Sequence, residues 1–473
     1  MAGSVWASEP IQLDPQNPHY FFFRGKPTVL ITSGEHYGSV LNLAFQYPVY
    51  LNTLAKDRLN LTRLFSGVYR EYPGDFGISH NTLAPLPANY LAPWPRSNQC
   101  CSEDGLNKFD LSRWDEPFFT RLRDFVRQAS ARNIVVEMNL FCPFYRDRMW
   151  SLSPLNARNN INGIGNMARI SVYTLKDGPM LAVQERLVRR IVTELRGFDN
   201  VYFEICNEPY FGGVTAEWQA HIAKVITQAE SSFPEHHLIS QNIANGSQKI
   251  LNPDPLVSIF NFHYSRPPDS VAMNYDLDRV IGFNETGFDG IGDAPYRIEG
   301  WDFLIAGGSL YNNLDYSFVS GHEEGTFTDK HAGGGGPALR HQLMILRDFM
   351  DSFDFVRMKP APEILKGSSP EGTSVRVLGE SGKAYAVYLH NARIVKSARK
   401  ETRLHIDDTP RVTRVKLELP AGSYRAEWLN TKTGDIDKRE SFRHAGGQNV
   451  LKSPQYRQDI ALRLVRAKFS AAR

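Results

Sequence analysis

Two glutamates define the chemistry open to this chain. The stretch Val201–Pro209 reads VYFEICNEP, and Val280–Gly287 reads VIGFNETG. Each is a β-branched and aromatic run that ends in Asn-Glu, which puts a carboxylate at the C-terminal tip of a strand. In the first run, Pro209 forbids further regular pairing directly after Glu208. Two carboxyl groups facing one cleft are what cleavage of a glycosidic bond needs: one protonates the leaving oxygen, and the other attacks the sugar or activates water. With Glu285 as nucleophile, Glu208 must be protonated before the first step, through burial or the like charge of Glu285, and it becomes the base for the hydrolytic step.

The elements that must carry these tips alternate along the chain. Residues 20–33 read as a hairpin ending in the strand TVLIT, and residues 45–59 are compatible with a helix. A strand follows at Leu59–Phe65, then a long loop over 67–109. Asp110 to Ser112 can cap a helix over 113–132, and Ile134–Phe141 is a near-continuous apolar strand. After a second long loop, 142–175, a helix over 179–196 leads into VYFEICNEP. Helix 216–232, strands Leu238–Ile243, Val257–Tyr264 and Val280–Glu285, a helix at Tyr296–Ala306, strand Ser309–Asp315 and helix Leu339–Phe353 complete the series. Counted from TVLIT there are eight strands, with the glutamate tips on the fourth and seventh. That order predicts an α/β protein built as a (β/α)8 TIM barrel, whose active site opens at the C-terminal ends of the strands. A doubly wound sheet competes less well, because no GxGxxG or P-loop follows any strand.

From Lys359 the texture changes to short alternating runs, SVRVLGE, AYAVYLH, VKLELP, SYRAEWLN and DIALRLV. These predict an all-β sandwich. The expected division is a barrel with its N-terminal hairpin over 1–358 and a C-terminal β-sandwich over 359–473.

Composition excludes several classes of partner. Formal net charge is +3, with both signs interspersed, so neither nucleic acid nor a membrane surface is called for. No run approaches the ~20 apolar residues of a membrane span. The opening MAGSVWASEP has neither a charged n-region nor an apolar h-region. The expected location is secreted or periplasmic, with a signal peptide outside this sequence, and the cytoplasm is the alternative. Of the four cysteines, a bridge from the Cys100/Cys101 loop to Cys142 competes with buried free thiols. His322, Glu323 and Glu324 invite a metal reading, but no second cluster at ligand spacing supports it, so no metal and no cofactor are expected. The glycine run Gly333–Gly336 could form the edge of a lid. Aromatic residues make up 12% of the chain, in keeping with stacking against sugar rings or with core filling.

With these residues in hand, the sequence resembles the clan of retaining (β/α)8-barrel glycoside hydrolases that includes the family 5 cellulases. Asn207-Glu208-Pro209 matches that clan's acid/base motif on strand four, and Glu285 occupies the place of its nucleophile on strand seven. The resemblance implies an O-glycosyl hydrolase that takes an oligosaccharide or polysaccharide and breaks a glycosidic bond, β by expectation, by double displacement. It implies that Asn207 bonds the sugar 2-hydroxyl and that Arg63 keeps Glu285 ionised, although pairing of Arg63 with Glu204 is an equal alternative. One of His263 and Tyr264 is expected to contact the nucleophile. Two positions depart from the clan: Asn139 stands where many members carry His, and Tyr311-Asn312-Asn313 stands where many carry a Trp platform. Glu35 and His36 are candidates for ligand contact at the first strand tip, and Trp94 and Trp150 are expected to face substrate from the long loops. Those loops favour exo action or short substrates. A non-catalytic carbohydrate-binding barrel and a metal-dependent hydrolase are the alternatives.

Overall fold

The computed structural model describes residues 9–328, 333–367, 372–396 and 402–467, so the reading of residues 1–8 lies outside the described residues. Eight parallel strands form the central sheet. They are β1 (Leu30–Gly34), β2 (Leu61–Phe65), β3 (Val135–Asn139), β4 (Val201–Glu204), β5 (Ile239–Asn245), β6 (Ile259–His263), β7 (Val280–Glu285) and β8 (Leu310–Leu314). Pairing runs β1–β8–β7–β6–β5–β4–β3–β2, a nearly closed barrel. The seam between β1 and β2 is bridged by Asn60, whose Oδ1 accepts from Ile31 N–H and whose Nδ2 donates to Val29 O, both at 2.8 Å.

Helices between the strands follow from their apolar stripes and starts. They are α1 (Tyr47–Lys56), α2 (Glu116–Ser130), α3 (Gly178–Leu195), α4 (Ala216–Ala229), α5 (Asp269–Asn274), α6 (Asp293–Ile305) and α7 (Pro337–Asp351), with a further short helix at Asp147–Leu152 in the loop after β3. Asp177 caps α3 by accepting from Met180 N–H at 2.8 Å, and Thr215 caps α4 through Trp218 N–H at 3.2 Å. The cap expected at Asp110–Ser112 does not start α2. Those two residues bond each other, Ser112 Oγ to Asp110 Oδ1 at 2.5 Å, and α2 begins at Glu116 with Pro117 in its first turn. The glycine run is no free lid edge: Gly334 N–H donates to Tyr296 Oη at 3.0 Å and is buried.

The barrel interior is apolar at one end and polar at the other. Leu30, Leu61, Val135, Ile259, Val280 and Leu310, each at the start of its strand, pack with Phe21 and Phe23 of the N-terminal hairpin. That hairpin, Phe21–Phe23 paired with Lys26–Thr28 and extended by Gln12–Leu13, closes the lower end of the barrel. Toward the strand tips the interior carries Arg63, Glu137, Glu204, Asn261 and Asn284, all buried. Gly282 admits this layer, because a Cβ there would collide with Asn261 Oδ1.

From Lys359 onward only antiparallel strands occur among the described residues. A six-stranded sheet has Ser374–Glu380, Ala384–His390 and Asp459–Arg466 at its centre, and Arg414–Leu419 pairs separately with Gly447–Lys452. The two layers form a β-sandwich whose core includes Val387, Leu389, Leu417, Leu451 and Trp428. Strand alternation sends Ala386 and Tyr388 the other way, into the barrel's own core, where Tyr388 stacks on Trp301 of α6 at 5.5 Å. The strand Ala384–His390 is therefore buried on both faces. Beside this contact Arg297 of α6 is buried against Asp459, with Nη2–Oδ1 at 2.7 Å.

Candidate active site

The mouth of the barrel brings Glu208 and Glu285 together around one imidazole. His263 Nδ1, at the end of β6, lies 3.1 Å from Glu208 Oε1 and 3.3 Å from Glu285 Oε1. One oxygen of each carboxylate lies within 4.8 Å of the other. A register shift between Phe283 and Glu285 in the β6–β7 pairing accompanies this placement; bulges of this kind re-aim side chains near active sites. Asn284 then turns inward to donate to both Glu137 Oε1 (2.8 Å) and Glu204 Oε2 (2.9 Å).

Arg63 ties the layer together. Its Nη1 donates to Glu285 Oε2 at 3.1 Å, while Nη2 donates to Glu204 Oε2 at 2.7 Å and Asn207 Oδ1 at 2.9 Å. Both readings left open by the sequence therefore hold: the guanidinium pairs with Glu204 and also meets Glu285. Tyr37 lies against it, 4.8 Å from ring centroid to guanidinium carbon. Burial alone would raise the carboxyl of Glu285. The charge and hydrogen bond of His263, followed by the charges of Arg63 and His36, outweigh burial and hold it down at about 2. Burial opposes the imidazolium of His263, yet Glu285 and Glu208 together hold it above its ordinary value.

Glu208 is gripped by two phenols. Tyr145 Oη donates to its Oε2 at 2.6 Å and accepts from Asn207 Nδ2 at 2.9 Å. Tyr210 Oη lies 3.1 Å from Glu208 Oε1 and 2.5 Å from Asn245 Oδ1 at the end of β5. These contacts were not legible as roles in the sequence, where Tyr145 is one aromatic among many in a loop. Their signal is proximity to a strand tip, since Tyr210 follows Glu208 by two residues. Among the described residues eleven non-glycine positions have positive φ, and five of them, Tyr37, Phe76, Glu208, Tyr264 and Phe288, line the cavity over this site. Such conformations cost about 1–3 kcal/mol each and gather at functional sites.

That cavity has a volume of about 330 Å³, and its walls come from the ends or following loops of all eight strands. Of the candidates, Asn207, Glu208, Glu285, His36 and Tyr264 line it, and His263 and Arg63 touch both or one of the glutamates from below. His36 also faces Glu71, with Nε2–Oε2 at 3.6 Å. Other candidates do not reach the cavity. Tyr311 points out of the barrel, because alternation turns Asn312 inward instead, and its hydroxyl donates to Tyr296 O at 2.7 Å. Trp150 is buried with its Nε1 on Met167 O at 2.9 Å, and Trp94 is buried and stacked on Trp114 at 6.2 Å; both fill their own loops. Glu35 is spent between the loops after β1 and β2, accepting from Ser39 Oγ and Thr82 Oγ1 at 2.6 Å each. Asn139 is buried without lining the cavity.

Of the two cysteine readings, the bridge to Cys142 is not formed, whereas buried free thiols hold for Cys142 and Cys206, beside the site. Cys100 is joined instead to Cys101, its neighbour. The donor set Glu208, His263 and Glu285 is one that a divalent cation accepts. Here the groups satisfy one another, since His263 Nδ1 is within hydrogen-bond reach of both carboxylates and Arg63 already supplies counter-charge to Glu285. His322 and Glu324 are half exposed at 3.8 Å, and Glu323 instead accepts from Gln46 N–H and Gly321 N–H.

No protein-family model matches the sequence, and no curated protein matches it. Solved structures do match over the whole chain. A structure described as a glycoside hydrolase aligns with TM-score 0.63 at 11% identity, covering 98% of both chains. A putative glycoside hydrolase from Bacteroides vulgatus ATCC 8482 aligns with TM-score 0.64 at 14% identity, over 98% of this chain and 84% of that one. The fold is that of glycoside hydrolases. A glycoside hydrolase family 5 structure from the same organism aligns with TM-score 0.62 at 10% identity, over 97% of this chain and 94% of that one. The C-terminal β-sandwich is included in these alignments, so the similarity extends beyond the barrel.

Proposed function

We propose that this protein is a retaining glycoside hydrolase, with Glu285 as nucleophile and Glu208 as acid/base. The reading is carried by the approach of these two carboxylates around His263, with oxygens within 4.8 Å. Double displacement uses carboxyl groups ~5–5.5 Å apart, whereas inversion needs ~6.5–9.5 Å to admit a water between them.

In the first step the ionised Glu285 attacks the anomeric carbon while Glu208 gives its proton to the leaving oxygen. The glycosidic C–O bond breaks and a glycosyl ester forms on Glu285. Arg63 and His263 keep the nucleophile charged before attack, and Tyr145 and Tyr210 fix the orientation of the acid. In the second step Glu208 takes a proton from water, which attacks the same carbon and frees Glu285. Asn207 lies at the cavity wall between Arg63 and Tyr145, positioned for the sugar 2-hydroxyl.

In this reading residues 1–358 form the catalytic unit, and the β-sandwich of 359–473 supports it through α6. No helix among the described residues is long and apolar enough to cross a membrane.

A panel of 4-nitrophenyl glycosides and oligosaccharides, with the anomer of the first product read by NMR, tests sugar, mode and stereochemistry together. Retention is expected, and Glu285→Gln and Glu208→Gln should each abolish turnover of oligosaccharides while keeping the circular-dichroism spectrum of the folded wild type. An inverted product, or wild-type rates in either variant, overturns the assignment.

A further inference from the structure

Three exposed phenylalanines stand at the mouth of the cavity. Phe76, Phe211 and Phe288 all line it, yet they remain 36%, 42% and 37% exposed. Phe211 follows Glu208 by three residues and Phe288 follows Glu285 by three. Phe76 and Phe288 hold φ of 56° and 63°, a left-handed backbone that bulky side chains avoid. Keeping apolar rings half in water on a disfavoured backbone gains nothing for folding, so their reason lies in what they meet.

Phe76 and Phe211 both pack edge-on against the ring of Tyr145, with centroids at 5.4 and 5.7 Å. Tyr145 in turn donates to Glu208, which places this pair beside the group that protonates the leaving oxygen. On the far side Arg146 lies over the ring of Phe76 at 5.5 Å and pairs with the buried Asp75, which fixes that ring from outside. The phenol groups nearby are committed, Tyr145 to Glu208 and Asn207, and Tyr210 to Glu208 and Asn245. The wall beside the acid is thus made of apolar rings, and it offers a leaving group a stacking surface rather than a set of hydrogen-bond partners. A flat apolar ring loses no hydrogen bond there and stacks against two aromatic neighbours.

Resting on the hydrolase reading above, we propose that Phe76 and Phe211 form a leaving-group site for a planar, apolar aglycone, so that the substrate is an aryl or arylalkyl glycoside rather than a polysaccharide. The test compares benzyl and methyl glycosides of the preferred sugar, whose leaving alcohols are close in acidity, with a disaccharide and the glycosyl fluoride, which has no aglycone. The wild type should favour benzyl over methyl by roughly tenfold in kcat/KM, the effect of one aromatic contact of ~1.4 kcal/mol. In Phe76→Ala and Phe211→Ala the ratio of benzyl glycoside to fluoride kcat/KM should fall by a similar factor. Equal rates on benzyl and methyl glycosides, a preference for the disaccharide, or an unchanged ratio in both variants overturns the proposal while the hydrolase reading stands. Failure to release sugar from any substrate, fluoride included, overturns the reading itself and this site with it.

Discussion

Arg63 joins Glu285 to Glu204 across the interior of the barrel, with one guanidinium nitrogen 3.1 Å from the first and the other 2.7 Å from the second. A single cation thus serves the reacting carboxylate and a buried structural one, with Glu137 a third at 3.4 Å. Arg63→Lys keeps the charge but loses the fork that holds Asn207 and both glutamates. We expect kcat/KM to fall by about 10²–10³, the cost of removing one preorganised electrostatic donor, with the larger part in kcat. Steady-state kinetics on an activated aryl glycoside measures it.

His263→Asn keeps a hydrogen-bond donor but removes the charge shared by the two glutamates. The wild-type carboxyl of Glu285 is held at about 2, so its ionisation should set no acid limb in kcat/KM before the protein unfolds. Without the imidazolium it returns toward the ordinary 4.5, and an acid limb should enter the measurable range. A kcat/KM profile from pH 3 to 8 that is the same in both proteins would refute this account.

The same pair makes stability depend on pH from both sides. Glu285 is lowered on folding, so its contribution is complete above the ordinary carboxylate value and is lost as pH falls through the folded one. His263 and His36 are raised above 6.5, so their contributions are complete below that value and disappear as pH rises through the folded ones. Thermal melts should therefore show Tm declining above pH 6.5, and the decline should be shallower in His263→Asn.

Tyr145→Phe removes the hydroxyl that donates to Glu208 and accepts a hydrogen bond from Asn207 Nδ2. Rates on a benzyl glycoside, which needs proton donation, should drop roughly ten- to hundredfold, the worth of a hydrogen bond to a charged group. Rates on a 4-nitrophenyl glycoside, whose leaving group needs little help, should drop less. Equal losses on both would mean that the hydroxyl does not act through the acid.

Asp459 is the hub between barrel and sandwich, receiving Arg297, Tyr388 Oη at 3.0 Å and Thr431 Oγ1 at 2.8 Å in a buried setting. Asp459→Asn leaves Arg297 as an uncompensated buried cation, which costs about 3–5 kcal/mol. Urea unfolding followed by tryptophan fluorescence should show that loss, with kcat/KM at 25 °C close to wild type.

Much of the architecture was legible because barrel strands are buried on both faces and read as unbroken apolar runs. Val280–Glu285 has the bounds read from the sequence, and the β1 to β8 order follows from alternation with helices. The strand Ile436–His444 is not legible in the sequence, because it is half exposed along its length and reads IDKRESFRH where a buried strand would be apolar. At the site, Glu208, Glu285 and Arg63 were legible because strand tips fix where their side chains go. Loop aromatics were not, because nothing local separates Tyr145, which meets Glu208, from Trp150, which closes on Met167. That choice is made by packing between segments distant in sequence.

The hairpin of Phe21 and Phe23 packs under the strand starts, while the cavity over Glu208 and Glu285 lies at the opposite end, at the strand tips. On the proposed mechanism the departing alcohol and the arriving water would both use the strand-tip side, so an aglycone that lingers there would delay the hydrolytic half-cycle. An alcohol added to the medium competes for the same entrance while the glycosyl group is still attached to Glu285. If the proposed double displacement operates, glycosyl transfer to such alcohols is the side reaction to expect.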